Sequence, residues 1–203
     1  MDDVGNYMPL DPSALEIRLL SIHLPQAPDN DDDPIHLTLE KASLLQPSRY
    51  VALSYTWGDP SQTKEVILNN RRHRVTDNLH SALHQLRAIN GRSDAMFESD
   101  AGAPLHGNKY WIDAVCIDQS NVSEKNYQVP LMTRIYRGAA EIYVWLGQSN
   151  WEIDVFGHYI LAESADERAA LMPQDELFFL LRCVAFILFK PWWRRLWIIQ
   201  EFI

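Results

Sequence analysis

Cysteine is nearly missing from this chain: its 203 residues hold two, Cys116 and Cys183. Two thiols build neither a disulfide scaffold nor a four-cysteine zinc site, and free thiols suit a reducing compartment. Glycine is scarce too, eight residues in all, and none of them form a glycine-rich phosphate loop. A Rossmann dehydrogenase or a P-loop nucleotide hydrolase is thereby disfavoured. Basic residues number 18 against 27 acidic ones, for a net charge of -9. The pairs Arg71-Arg72 and Arg194-Arg195 are too short to make the basic face that duplex DNA requires, so nucleic acid is not an expected partner. No apolar run is long. The stretch "LFFLLRCVAFILF" (177–189) carries Arg182 at its centre and falls short of the roughly 20 residues of a membrane crossing. A buried helix is expected there, and no membrane partner. The acidic start "MDDVGNYMPLDPS" lacks an apolar signal core. A cytoplasmic location is expected.

What remains is an ordinary globular balance, 47% hydrophobic and 22% charged, enough for one cored domain. Residues 1–14 read as a flexible leader and 15–203 as a single domain. "IRLLSIHL" (17–24) and "IHLTLE" (35–40) alternate as half-buried strands do, with an acidic solvated turn between them. "YVALSY" (50–55) is apolar on both faces, the mark of a central strand. "KEVILNNRRHRV" predicts a hairpin turning at Asn69-Asn70. "TDNLHSALHQLRA" predicts an amphipathic helix capped by Thr76 or Asp77. Its His80 and His84 have no adjacent carboxylate to complete a metal set and read as surface histidines. "KYWIDAVCIDQ" predicts a second buried strand, "SEKNYQVPLMTRIYRG" a helix capped by Ser123 with Pro130 inside, and "EIYVWLG" a third buried strand. The segment from Trp192 to Ile203 predicts a closing helix. Buried strands alternating with helices point to a doubly wound, largely parallel α/β sheet, with the N-terminal strands and the hairpin as additions.

In such a sheet, ligands bind where the strands end. The first buried strand ends in Ser54, Tyr55, Trp57, Gly58 and Asp59; the second carries Asp113, Cys116, Asp118 and Gln119; the third ends in Trp145, Gly147 and Gln148. Parallel packing would gather these on one rim. Cys116 has no histidine nearby to act as its base, so nucleophilic thiol chemistry is not expected.

The stretches "YVALSYTWGDP", "YWIDAVCIDQSNVSEKNYQVPLMTRIYRGAAEIYVWLG" and "RRLWIIQEFI" resemble, in order, the three blocks of the fungal heterokaryon-incompatibility (HET) domain. The resemblance covers roughly residues 17–203. It implies a filamentous-fungal source, a role in cell death when unlike hyphae fuse, and a chain that is one module of a longer protein. The HET domain is in turn similar to Toll/interleukin-1 receptor (TIR) domains, of flavodoxin-like fold, several of which cleave NAD between nicotinamide and ribose. Their catalytic Glu follows a Trp by four residues on a helix, and Trp197 and Glu201 share that spacing. The resemblance therefore implies Glu201 as catalytic residue and NAD as substrate, with no bound cofactor and no metal. Nicotinamide leaves neutral, so the carboxylate is needed only to stabilise charge developing on the ribose. Tyr55 and Trp57 are candidates for ring stacking, Arg194 and Arg195 for the pyrophosphate, and Asp113 and Asp118 for ribose hydroxyls; Ser54, Gly58, Asp59 and Trp197 complete the expected rim. Self-association or regulatory partner domains are expected. The competing reading is a non-enzymatic module that signals by homotypic assembly.

Overall fold

The computed structural model describes residues 7–25, 33–91, 109–149, 153–155 and 176–195. Contacts divide the chain into two compact units that part between Trp145 and Leu146, and each is described by itself. The first unit is a seven-stranded sheet. In chain order its strands are β1 (Glu16–Ile22), β2 (His36–Ser43), β3 (Val51–Tyr55), β4 (Thr63–Leu68), β5 (Arg71–Thr76), β6 (Lys109–Trp111) and β7 (Glu141–Trp145). They lie in the order β5-β4-β2-β1-β6-β3-β7.

The expectation of a largely parallel sheet needs correction. β3 runs parallel to β6 and β7, and β2 parallel to β4, but β1/β2, β1/β6 and β4/β5 are antiparallel. The sheet is mixed, and the N-terminal strands and hairpin are continuous with its parallel part. β1 is the seam: it pairs with β2 along its whole length and with β6 at Leu20 and Ser21.

Local chemistry explains most elements. All five residues of β3 are buried, as a strand covered on both faces must be. Asn69 and Asn70 adopt φ of 50° and 65°, which makes the β4–β5 link a two-residue turn of the kind whose twist matches paired strands. Asn69 Oδ1 also accepts from the Leu39 amide at 3.0 Å, tying the turn to β2. Helix α1 (Asp77–Asn90) is capped by the Thr76 hydroxyl and buries Leu79, Ala82, Leu83 and Leu86. Each such leucine contributes about 1.5–3 kcal/mol by leaving water.

Three expectations fail in detail. "KYWIDAVCIDQ" is a strand only to Trp111. One helical turn, α2 (Asp113–Cys116), follows, and an apolar run of that length does not distinguish the two. Helix α3 (Val122–Gly138) starts one residue ahead of Ser123 and is capped by Asn121, whose side-chain Oδ1 accepts from the Glu124 amide. β7 is half-buried because it stands last in the strand order.

Leu53 and Tyr143, level with each other on β3 and β7, join Leu86 of α1 around a cavity of about 310 Å³. Trp111, level with Ala52, meets the Tyr136 ring of α3 edge-on at 5.5 Å. Successive strand residues point to opposite faces, so α1 and α3 cover opposite faces of the parallel part. Residues 7–14, within the stretch expected as a leader, carry contacts. The Arg18 guanidinium lies 5.0 Å from the Tyr7 ring centre, and Asp11 accepts from Ser13.

The second unit holds helix α4 (Glu176–Leu188) and a 3-10 turn, Pro191–Arg194. The helix was expected to be buried, and it is buried only along Phe179 and Cys183; Leu177, Phe178, Leu181, Val184 and Leu188 are exposed. Hydropathy marks a helix that wants an apolar neighbour without saying where one lies. No helix among the described residues is long and apolar enough to cross a membrane.

Candidate functional site

The carboxyl ends of β3, β6 and β7 finish side by side, in parallel register from Val51 opposite both Tyr110 and Glu141. Three segments leave this edge, and hydrogen bonds join them. The loop after β3 carries Trp57, a residue 47% exposed, whose indole N–H donates to Asp113 Oδ2 at 2.9 Å. Asp113 opens α2 immediately beyond β6, only 9% exposed, and its other oxygen accepts from the Ala114 amide at 2.7 Å. Gln119 Nε2 donates to the Asp113 carbonyl at 2.9 Å, folding the loop after α2 back onto the same edge. At the end of β7 the Trp145 indole N–H donates to Asn78 Oδ1 at 3.0 Å. Asn78 Nδ2 in turn donates to the Thr56 carbonyl at 2.6 Å.

The rim expected from the sequence thus brings together Trp57, Asp113 and Trp145. The other expected residues are placed as follows. Ser54 and Tyr55 are enclosed in the core, so an open aromatic face at this edge belongs to Trp57 and not to Tyr55. Gly58 has a φ of +79°, a conformation that favours glycine. Asp59 is exposed and turned back on its own loop, accepting from the Ser61 amide and hydroxyl, which hold its carboxyl below the usual range. Asp118 likewise accepts from the amide and hydroxyl of Ser120 and shapes the α2–α3 loop. Arg194 and Arg195 lie in the second unit at the 3-10 turn. Trp197 and Glu201 lie outside the described residues.

Beneath the rim is a buried ion pair. Arg18 of β1 grips both oxygens of Glu124 at 2.6 and 2.9 Å and donates to the Cys116 carbonyl at 3.1 Å. Glu124 also accepts from the Asp118 amide at 2.8 Å. One carboxylate therefore anchors the α2–α3 loop to β1. Cys116 is fully enclosed; burial pushes its thiol up to about 12, so it holds no reactive thiolate near neutrality. Burial, with Glu141 beside it, pushes the Tyr143 phenol up to about 12 as well. No group of three or more metal-ligating side chains occurs among the described residues.

Asn78 and Glu124 were missed from the sequence. Both sit in ordinary amphipathic helices, and only long-range contacts give them meaning.

No solved structure matches the chain. Among curated proteins it is similar to the heterokaryon incompatibility protein 6, OR allele, of Neurospora crassa, with 30% identity over 243 aligned positions. That alignment covers 98% of this chain and 34% of the relative, so the chain spans about a third of the relative's length. The family model described as heterokaryon incompatibility protein (HET) matches residues 50–201. That match takes in β3, the α2–α3 loop and β7 together, and the chain belongs to the HET family.

Proposed function

We propose that this HET domain serves a fungal incompatibility response and acts in it as a TIR-like NAD glycohydrolase at the edge where β3, β6 and β7 end. The observation that supports this most is the exposed Trp57 ring, locked by Asp113 at the carboxyl ends of parallel strands, where open α/β sheets take ligands. An indole held by its N–H offers a fixed face for a pyridinium or purine ring. Asp113 and Asp118 are the proposed acceptors for ribose hydroxyls. Glu201 supplies the carboxylate that stabilises the oxocarbenium-like ribose as neutral nicotinamide departs. With Trp197 it reproduces the spacing of the TIR catalytic helix.

The test is nicotinamide release from NAD by the purified, clustered protein. Wild type releases it, Glu201→Ala falls to background, and Trp57→Ala raises KM by about tenfold, the scale of a lost aromatic stack. An assembled wild-type protein that is toxic in cells yet leaves NAD intact overturns the reading.

A second reading, assembly without chemistry, has its own support in α4. Leu177, Leu181, Val184 and Leu188 are exposed at alternating four- and three-residue steps, the spacing of a helix-pairing seam. Toxicity that persists in Glu201→Ala and disappears on placing charge in this seam favours assembly.

A further inference from the structure

Asn78 stands in the first turn of α1, at a position where nothing in helix formation calls for asparagine. Its amide nevertheless joins three elements. Nδ2 donates to the Thr56 carbonyl at 2.6 Å and reaches the Thr56 hydroxyl at 3.3 Å, while Oδ1 accepts from the Trp145 indole at 3.0 Å. The loop after β3, the start of α1 and the end of β7 are therefore fastened by one side chain. Gly58 fits against the same residue: a Cβ there would stand 3.1 Å from the Asn78 Cβ, at a φ of +79° that disfavours any side chain. Trp57 lies between these two anchors, its backbone flanked by Thr56 and Gly58 and its indole N–H held by Asp113.

We propose that Asn78 is the positioning residue of this edge: it fixes the loop 56–58 so that the Trp57 ring keeps one face open to a planar nitrogen heterocycle. The ligand class rests on the nucleotide reading above; the positioning does not. A stack tolerates little displacement, and a shift of about 1 Å in a residue that holds a substrate is enough to cost most of its effect. Asn78 acts on the loop through Thr56 and Gly58. Its loss should therefore weaken ring binding and leave bond breaking little changed.

The discriminating variant is Asn78→Asp. Its shape is the same and it still accepts from Trp145, but a carboxylate set against the Thr56 carbonyl repels where the amide donated. Asn78→Ala removes both bonds and serves as the second variant. In the whole chain with nitrogen-15 indoles, NMR reads Trp57 and Trp145 separately, and NAD kinetics are run beside it. In Asn78→Asp we expect the Trp145 indole signal to stay in place while Trp57 N–H exchange with solvent accelerates by about tenfold. KM for NAD should rise by about tenfold with kcat within about twofold. Asn78→Ala should disturb both indoles. An unchanged Trp57 signal in folded Asn78→Asp overturns the proposal, and so does a fall in kcat at constant KM. If wild type neither binds nor cleaves NAD, the indole signals alone decide the positioning role, and only the NAD reading is lost.

Discussion

Arg18 and Glu124 stand 106 residues apart in sequence and meet as a fork on a carboxylate, with both side chains almost sealed from water. Removing one partner strands a buried charge, which costs far more than the pair contributes. Glu124→Ala is therefore expected to lower stability by about 3–5 kcal/mol, read as a shifted urea midpoint with unchanged slope. Replacing both partners with apolar residues, as in Arg18→Met with Glu124→Leu, should recover most of the loss. The same pair shows where sequence reading stops. Trp57, Asp113 and Trp145 were legible as members of one edge because each closes an apolar strand, and strand ends have a known meaning. Glu124 and Asn78 look like any polar residue on a helix. Their partners, Arg18 and Thr56, are set by the strand order, and that order is not written locally.

Elements were legible where local chemistry leaves little choice. The Asn69-Asn70 turn is such a case: both residues take positive φ, which asparagine tolerates and most residues do not. Asn69→Ala forces alanine into that region and removes the bond to the Leu39 amide, for an expected cost of about 1–2 kcal/mol. For a chain of this size each kcal/mol lowers Tm by about 2–4 °C, which calorimetry resolves. β6 was overestimated because alternation and burial look alike in a short strand and in a strand followed by a helical turn. Its three residues suffice since two neighbours hold it, β1 on one side and β3 on the other. α4 was recognised as a helix and misjudged as buried, since an apolar sequence records the need for a covering surface and not its source.

For the molecule as a whole, charge and apolar exposure oppose each other. A net charge of -9 makes copies repel, while under the assembly reading the exposed seam of α4 would draw them together. Salt screens the first and leaves the second, so self-association should strengthen as salt rises, the reverse of an assembly held by ion pairs. Sedimentation at low and high salt checks the direction, and Leu181→Glu should hold the chain monomeric at both. The strand order has a further consequence, for synthesis. β6 sits between β1 and β3 but leaves the ribosome some 50 residues after β3, at about 5–20 residues per second a delay of several seconds. Until Lys109–Trp111 arrives, the nascent sheet has a missing plank, with the edges of β1 and β3 both open. Such a chain folds late, and a polypeptide truncated before residue 109 is a natural client for chaperones.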